Sequence, residues 1–257
     1  MKRFAAVALE DFPLIDSGDD LAKIIVETAR RNNVGIEDGD VIVAAQKIFS
    51  KAEGRVVSLR NVVPSNEARE LAKAIGKSAR FVELVLREAK SILKASREVL
   101  LVEDQRGLVC INAGIDKSNV KGGGNFALLP SDPDESAESC RRRIKELTGK
   151  NVGLIVCDTY SRPFRRGQVN FAIGVAGVKI FKDYRGQSDL FGQILRVKNV
   201  AIADEIAAAA ELLMGQAAEA RPVVIFKGLC DVVDFCEKCE AADLQISREQ
   251  DLFRGAL

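Results

Sequence analysis

The sequence predicts an α+β protein of mixed sheets with flanking helices, on three observations. Short apolar runs with strand composition, Val41–Ala45 and residues 151–157, stand among amphipathic helical stretches such as Leu21–Arg31. Strands and helices follow one another irregularly, unlike the regular alternation of a βαβ array. Asp104-Gln-Arg-Gly107 sits between two apolar segments and marks a hairpin, hence an antiparallel pair.

Residues 1–9 read as the first strand. They are basic and then apolar, but Glu10-Asp11 ends the apolar part too early for a secretory leader. A turn at Pro13 follows, and Asp19-Asp20 opens the helix Leu21–Arg31. Residues 37–40 turn into the strand Val41–Ala45. The next stretch, Ser50-Lys51-Ala-Glu-Gly54, reads as a turn. Helices are expected at 65–75 and 79–89, separated by Gly76-Lys-Ser. Residues 98–103 and 108–112 flank the hairpin turn. Gly122-Gly123-Gly124 runs into Asn-Phe-Ala rather than into a helix and reads as a flexible loop. Asp132-Pro-Asp134 precedes a helix at 136–147 ended by Gly149, with Arg141, Arg142 and Arg143 on a solvated face. The strand at 151–157 is expected to end at Asp158-Thr159. Residues 168–180 alternate small and apolar. Residues 203–214 form a strong helix with Gly215 as its C-cap, and 222–226 a late strand.

Composition narrows the function. The 257 residues fit one large domain or two small ones. Lys+Arg 38 against Asp+Glu 37 leaves a net charge of +1, so no global field points to nucleic acid or to a membrane surface, and any anion site must be local. No apolar stretch is long enough to span a bilayer. Six cysteines without a secretory signal indicate reduced thiols in a cytoplasm. The chain has no histidine, which excludes Ser-His-Asp and Cys-His nucleophile systems and His-based zinc sites. Trp is absent and aromatics are 5%, which argues against base-stacking platforms.

What remains is chemistry on carboxylates, hydroxyls, lysines and arginines. After the 151–157 run come Asp158, Thr159, Arg162, Arg165 and Arg166. Asp and Thr are hard oxygen ligands suited to Mg²⁺ or Mn²⁺, and arginines fork onto phosphate or carboxylate. The segment reads as a site for a metal-bound phosphate ester, or more plainly as an Asx-capped turn with solvated arginines. Asn112-Ala-Gly-Ile-Asp116-Lys-Ser-Asn119 places an Asp and two Asn after another strand. Paired with Asp158-Thr159 it would bridge phosphate oxygens through a cation; alone, Asp116 reads as a turn residue. Lys51 is either a phosphate contact or an exposed lysine. No Gly-x₄-Gly-Lys-Ser/Thr is present, which excludes a P-loop. Cys236-Glu-Lys-Cys239, with Cys230 before it, looks like half of a zinc knuckle, but a second pair is missing. A redox role for this pair is equally weakly founded, since no thioredoxin-like βαβ context surrounds it.

Assembled, the motifs resemble the coenzyme F420:L-glutamate ligase family. They are Ser50-Lys51-Ala-Glu-Gly54-Arg55, Asn112-Ala-Gly-Ile-Asp116-x-Ser-Asn119-Val and Asp158-Thr-x-x-Arg162-Pro-Phe-Arg165-Arg166-Gly167. Further matches are Asp183-Tyr-Arg-Gly186-x-x-Asp-Leu-Phe-Gly192, the stretch from Ala203 to Gln216, and Glu249-x-Asp-Leu-Phe-Arg254. The likeness covers nearly the whole chain in order.

The resemblance implies a single family unit over 1–257 made of two packed subdomains and assembled as a homodimer. It implies a GTP-dependent ligase that adds L-glutamate to the lactyl carboxylate of a deazaflavin acceptor and extends a gamma-linked tail. Two Mg²⁺ or Mn²⁺ ions, with K⁺ as a further candidate, would serve an acyl-phosphate reaction. Metal ligation maps to Asp116, Asp158, Thr159 and Gln216. GTP contacts map to Phe12, Pro13, Leu14 and Ile15, to Gln46, Lys47, Lys51 and Asn119, and to Met214, Gly215, Gln216 and Arg221. Arg162, Arg165 and Arg166 would hold phosphate or the glutamate carboxylates. A different carboxylate acceptor, or nucleotide and metal binding without turnover, are the alternatives. Three positions depart from the family pattern: Gln216 stands where some members have Glu, Ala220 where many have Gly, and Arg106 where a hairpin histidine is usual.

Overall fold

The computed structural model describes residues 3–97, 99–235, 239–247 and 249–251. The chain forms two compact units. One comprises the residues up to 14, 20–45 and those from 132 onward; the other comprises 15–19 and 46–131.

The first unit is built on a five-stranded sheet ordered β1-β12-β2-β8-β9. Its strands are β1 (Ala5–Ala8), β2 (Val41–Ala45), β8 (Gly153–Ser161), β9 (Gln168–Ala176) and β12 (Val223–Lys227). All neighbours are antiparallel except β2 and β8. Val41, Val43, Ile155 and Cys157 point to one face, where they meet Ala203, Ile206, Ala207, Ala210 and Met214 of α6 (Ile202–Met214). The alternate residues Ile42, Ala44, Leu154 and Val156 are equally buried and point the other way, as the period-2 geometry of a strand requires. On that face lies α5 (Pro133–Thr148), which packs on α1 (Leu21–Arg31). Burial on both faces explains why β2 and β8 are continuous apolar runs.

Helix ends follow local chemistry. Asp20 accepts from Lys23 N and Asp132 from Glu135 N, each capping a helix start, with Pro133 in the first turn of α5. Gly149 ends α5 in the left-handed conformation, φ 72°. A projecting arm, paired through β10 (Phe181–Asp183) and β11 (Asn199–Ala201), holds an internally hydrogen-bonded loop.

The second unit contains α2 (Gln46–Ala52), α3 (Asn66–Ile75) and α4 (Ala79–Glu88). It also holds a β3 (Val56–Ser58) to β7 (Asn125–Ala127) pair and the antiparallel sheet β4 (Ala89–Ala95), β5 (Leu100–Asp104), β6 (Val109–Ile111). Ser65 caps α3 by accepting from Ala68 N, and Gly76 ends it at φ 68°.

Several expectations are corrected. The stretch after β2 is not a turn: Lys51 lies in the last turn of α2, because the apolar Ile48 and Phe49 are buried and hold the segment helical. β8 does not end before Asp158 but runs to Ser161, since Asp158, Thr159 and Tyr160 pair with Phe171, Asn170 and Val169 of β9. β4 is an additional strand, with exposed and half-buried residues that carry no apolar alternation. Arg141 is not fully solvated; its guanidinium lies 5.5 Å from the Phe235 ring and binds Glu138. Arg106 closes the β5–β6 turn, gripping buried Asp104 at 2.7 and 3.0 Å, while Arg106 N and Leu108 N also donate to that carboxylate. Cys236 and residues 252–254 of the last motif lie outside the described residues. Among the described residues no helix is long and apolar enough to cross a membrane.

Candidate active site

In the second unit the chain leaves β6 through a turn at Asn112–Gly114 in which three consecutive residues have positive φ: Asn112 52°, Ala113 55° and Gly114 67°. Gly114 is required there: a Cβ would lie 2.6 Å from the Leu129 side chain. The reversal brings Asp116 into a backbone bridge with Ala127, and Asn119 again takes the left-handed conformation, φ 52°. The Asp116 carboxylate accepts from Lys47 Nζ at 2.8 Å and from Ser118 N at 2.8 Å, with a further short contact to Ser118 Oγ. Lys47 Nζ also donates to Ser118 Oγ at 2.7 Å. Partial burial pulls the Asp116 carboxyl up, but the hydrogen bonds from Lys47 and Ser118 outweigh it and hold the carboxyl below its usual range.

One turn along α2, Lys51 is half-buried and makes no hydrogen bond or ion pair among the described residues. Burial lowers its pKa, and the neighbouring Lys47 charge adds to this against a smaller opposing pull from Asp16. Gln46 is buried and accepts from Ser50 Oγ at 2.7 Å, which fixes its amide on the inner face of α2. Two lysines one helical turn apart, one of them paired and one not, form an anion-receptive face. Ile15, also in this unit, is buried.

In the first unit a β-bulge opposite Val156/Cys157 shifts the register of β9. It changes which β8 residues are covered, from fully buried up to Cys157 to half-exposed from Asp158 onward. Thr159 Oγ1 lies 3.0 Å from Asn170 Oδ1 and accepts from Gln216 Nε2 at 3.0 Å; Gln216 Nε2 also donates to Glu211 Oε1 at 2.7 Å. Asn170 is buried and donates to Cys157 Sγ at 3.5 Å. Burial drives the Cys157 thiol far up, and the charges of Asp158 and Glu211 add to this, placing both carboxylates in the same neighbourhood.

Gln216 follows Gly215, the C-cap of α6, on a segment folded back by Glu219, whose carboxylate accepts from Ala217 N at 2.7 Å. Ala220, one of the positions at which the resemblance implied a glycine, takes φ 54°, a conformation that Gly adopts without strain. Arg221 NH1 meets Glu10 at 3.3 Å while its Nε is buried without a partner. Met214 and Phe12 are buried; Pro13 and Leu14 are exposed. Between β8 and β9, Arg165 and Arg166 are exposed. Arg162 is half-buried, reaches the carbonyls of Arg166 and Gly167 at 3.4 and 3.5 Å, and has an unpartnered Nε.

The structure joins Lys47, assigned to the nucleotide, with Asp116, assigned to a cation, and it joins Thr159 with Gln216, both assigned to a cation. It adds Ser118, Asn170 and Glu211, which the sequence reading had not singled out. The signal for Asn170 was a polar residue in an otherwise apolar alternating strand; Glu211 carried no signal distinguishable from a solvated helix face. Among the described residues no group of three or more Cys, Asp and Glu is placed to hold a metal ion.

Half-exposed acidic and hydroxyl oxygens in the first unit, and in the second an anion-receptive lysine pair with Asp116, are groups that suit phosphate chemistry, and comparison with known proteins makes the chain a ligase. The chain belongs to the F420-0:Gamma-glutamyl ligase family, whose model matches residues 11–228. It is 46% identical to the coenzyme F420:L-glutamate ligase of Archaeoglobus fulgidus over 255 residues, covering 99% of this chain and 98% of that one. To the enzyme of the same name from Methanopyrus kandleri it is 45% identical, with 96% and 97% covered, and to that from Methanocaldococcus jannaschii 42%, with 99% and 98% covered.

Proposed function

We propose that this ligase joins L-glutamate to the lactyl carboxylate of coenzyme F420-0 and extends a gamma-linked glutamate tail, using GTP. The acceptor and amino acid rest on the names of relatives matched end to end. The nucleotide rests on one observation: the Lys51 ammonium is half-buried beside a second lysine, with only the weaker charge of Asp16 to oppose them and no direct ion pair among the described residues, which leaves it suited to a phosphate.

A carboxylate is a poor electrophile, so the chemistry needs activation. An acceptor carboxylate oxygen attacks the γ-phosphorus of GTP, the β–γ bridging bond breaks and GDP leaves. The glutamate amine then attacks the acyl carbon, the bond to phosphate breaks and the amine loses a proton. The protein's task is to position groups and neutralise charge, which suits a chain without histidine. Asp158, Thr159 and Gln216 in the first unit and Asp116 in the second are all hard oxygen donors and fit Mg²⁺ or Mn²⁺ by type, with K⁺ as a weaker candidate. A divalent cation on such oxygens would neutralise phosphate charge. Arg162, Arg165 and Arg166 have unfilled donors for phosphate or glutamate carboxylates.

The chain is further proposed to work as a homodimer, because the arm exposes Leu190, Phe191, Ile194 and Val197, four large apolar side chains on an internally hydrogen-bonded loop. It is likewise proposed to work in a cytoplasm, a reading supported by Cys110, Cys140, Cys157, Cys230 and Cys239 all being free thiols.

Mass spectrometry of products formed from the deazaflavin acceptor, GTP, Mn²⁺ or Mg²⁺ and L-glutamate tests the assignment. Stepwise addition of glutamyl residues with matching GDP release is expected. Hydrolysis of GTP indifferent to acceptor and glutamate would overturn it.

A further inference from the structure

Gln216 is the one uncharged side-chain amide in a set of oxygens assigned to a cation, and an amide can face either way. Its orientation here is decided by Glu211. A carboxylate only accepts hydrogen bonds, so the group 2.7 Å from Glu211 Oε1 must be the amide nitrogen. The second proton of that nitrogen goes to Thr159 Oγ1 at 3.0 Å. Thr159 Oγ1, having accepted there, has two oxygens in reach of its single proton, Gln216 Oε1 at 3.3 Å and Asn170 Oδ1 at 3.0 Å; the proton goes to the nearer Asn170, which donates onward to Cys157 Sγ. The relay therefore has one direction, set at its exposed end by the Glu211 charge. Both Gln216 Oε1 and a lone pair of Thr159 Oγ1 are left without a proton on them.

We propose that Glu211 is a positioning residue: by holding the Gln216 amide through its nitrogen, it presents the Gln216 and Thr159 oxygens together as donors to a divalent cation. The negative charge that a glutamate at 216 would have brought is thereby supplied five positions earlier, on α6, as an anchor for the amide. The inference rests on the reading that Thr159 and Gln216 ligate a cation. Glu211 is half-buried on a helix surface, so Glu→Gln there is compatible with the fold.

Mn²⁺ binding, followed by electron paramagnetic resonance on the whole protein with a non-hydrolysable GTP analogue, separates the two ideas. Wild type is expected to bind Mn²⁺. Glu211→Gln, whose amide can meet either end of Gln216, is expected to weaken binding by about ten-fold or more, the usual scale for losing such a supporting contact, with an unchanged thermal midpoint. The double variant Glu211→Gln with Gln216→Glu reverses the polarity of the same hydrogen bond and is expected to restore affinity. If wild type binds no Mn²⁺, the cation reading itself fails and the role of Glu211 falls with it. If wild type binds but Glu211→Gln binds equally well, only the positioning role is overturned. Weakened binding that the double variant does not restore would make Glu211 a ligand in its own right and likewise overturn it.

Discussion

Lys51 shows how much one residue's surroundings decide. A half-buried ammonium held below its usual pKa by burial and by Lys47 gains most from an anion that neutralises it. Lys51→Ala is expected to weaken GTP binding by about 1.5–3 kcal/mol, roughly ten-fold or more, with little change in glutamate affinity; equilibrium titration of a GTP analogue checks this. An unchanged constant would return Lys51 to the status of a surface lysine. Asp116 and Asp158 differ in their partners but are expected to fail alike. Asp116→Asn and Asp158→Asn should abolish turnover while far-UV circular dichroism stays native, and chelation should silence wild type until Mn²⁺ or Mg²⁺ is returned. Near-normal turnover in either variant would remove that residue from the site.

At the scale of elements, β9 carries the positioning of the first unit's site. It is the outer strand of its sheet, and two of its backbone N–H groups are taken by first-turn carboxylates of the flanking helices. Ala172 N donates to Asp204 of α6 at 3.0 Å and Val175 N to Asp134 of α5 at 2.7 Å. Gly174 lies between them at the bulge, where a Cβ would stand 2.2 Å from Pro133 O. Gly174→Ala must therefore push α5 from the sheet or flatten the bulge. A loss of about 1–3 kcal/mol is expected by urea unfolding, with a fall in kcat because Asp158 and Thr159 lie just beyond the bulge.

The α3–α4 pair of the second unit supplies a pH dependence. Glu83 of α4 is held at about 2 by hydrogen bonds from Ser65, the α3 cap residue, and from Arg87. Its folded pKa is depressed below 4.5, so its contribution is complete above that pH and is lost as pH falls toward about 2. Glu83→Gln should flatten the stability profile over that window by about 1–2 kcal/mol, less than full linkage because Arg87 is half exposed. Unfolding midpoints of both proteins with equal slopes across the window would dismiss the contribution.

On the scale of the whole molecule, the arm is the feature the core does not explain. Leu190 and Phe191 are almost fully exposed although the loop around them is ordered by Asp189, which accepts from Phe191 N and Gln193 N. Replacing both with Asp (Leu190→Asp, Phe191→Asp) is expected to convert a dimer into a monomer in sedimentation while the thermal midpoint of the monomer stays close to wild type. A wild-type protein that sediments as a monomer would refute the assembly.

What the sequence by itself determined was local. The helices α1, α3, α5 and α6 were legible because their caps, Asp20, Ser65, Gly149 and Gly215, act within a turn of the residues they satisfy. The two central strands were legible because burial on both faces leaves an unbroken apolar run. The candidate site residues were picked out as residue types and, through the family motifs, proposed as a set. Only the tertiary structure decided how they are held. Lys51 reads as a turn residue until Ile48 and Phe49 are buried; Asp158 reads as a strand end until β9 pairs with it. Thr159 meets Asn170 eleven positions away and Gln216 fifty-seven positions away, and no periodicity within either segment encodes that meeting. Hydrogen bonds between remote segments are set by how the sheet and α6 pack, so the direction of the relay, and the part Glu211 takes in it, exist only in the folded chain.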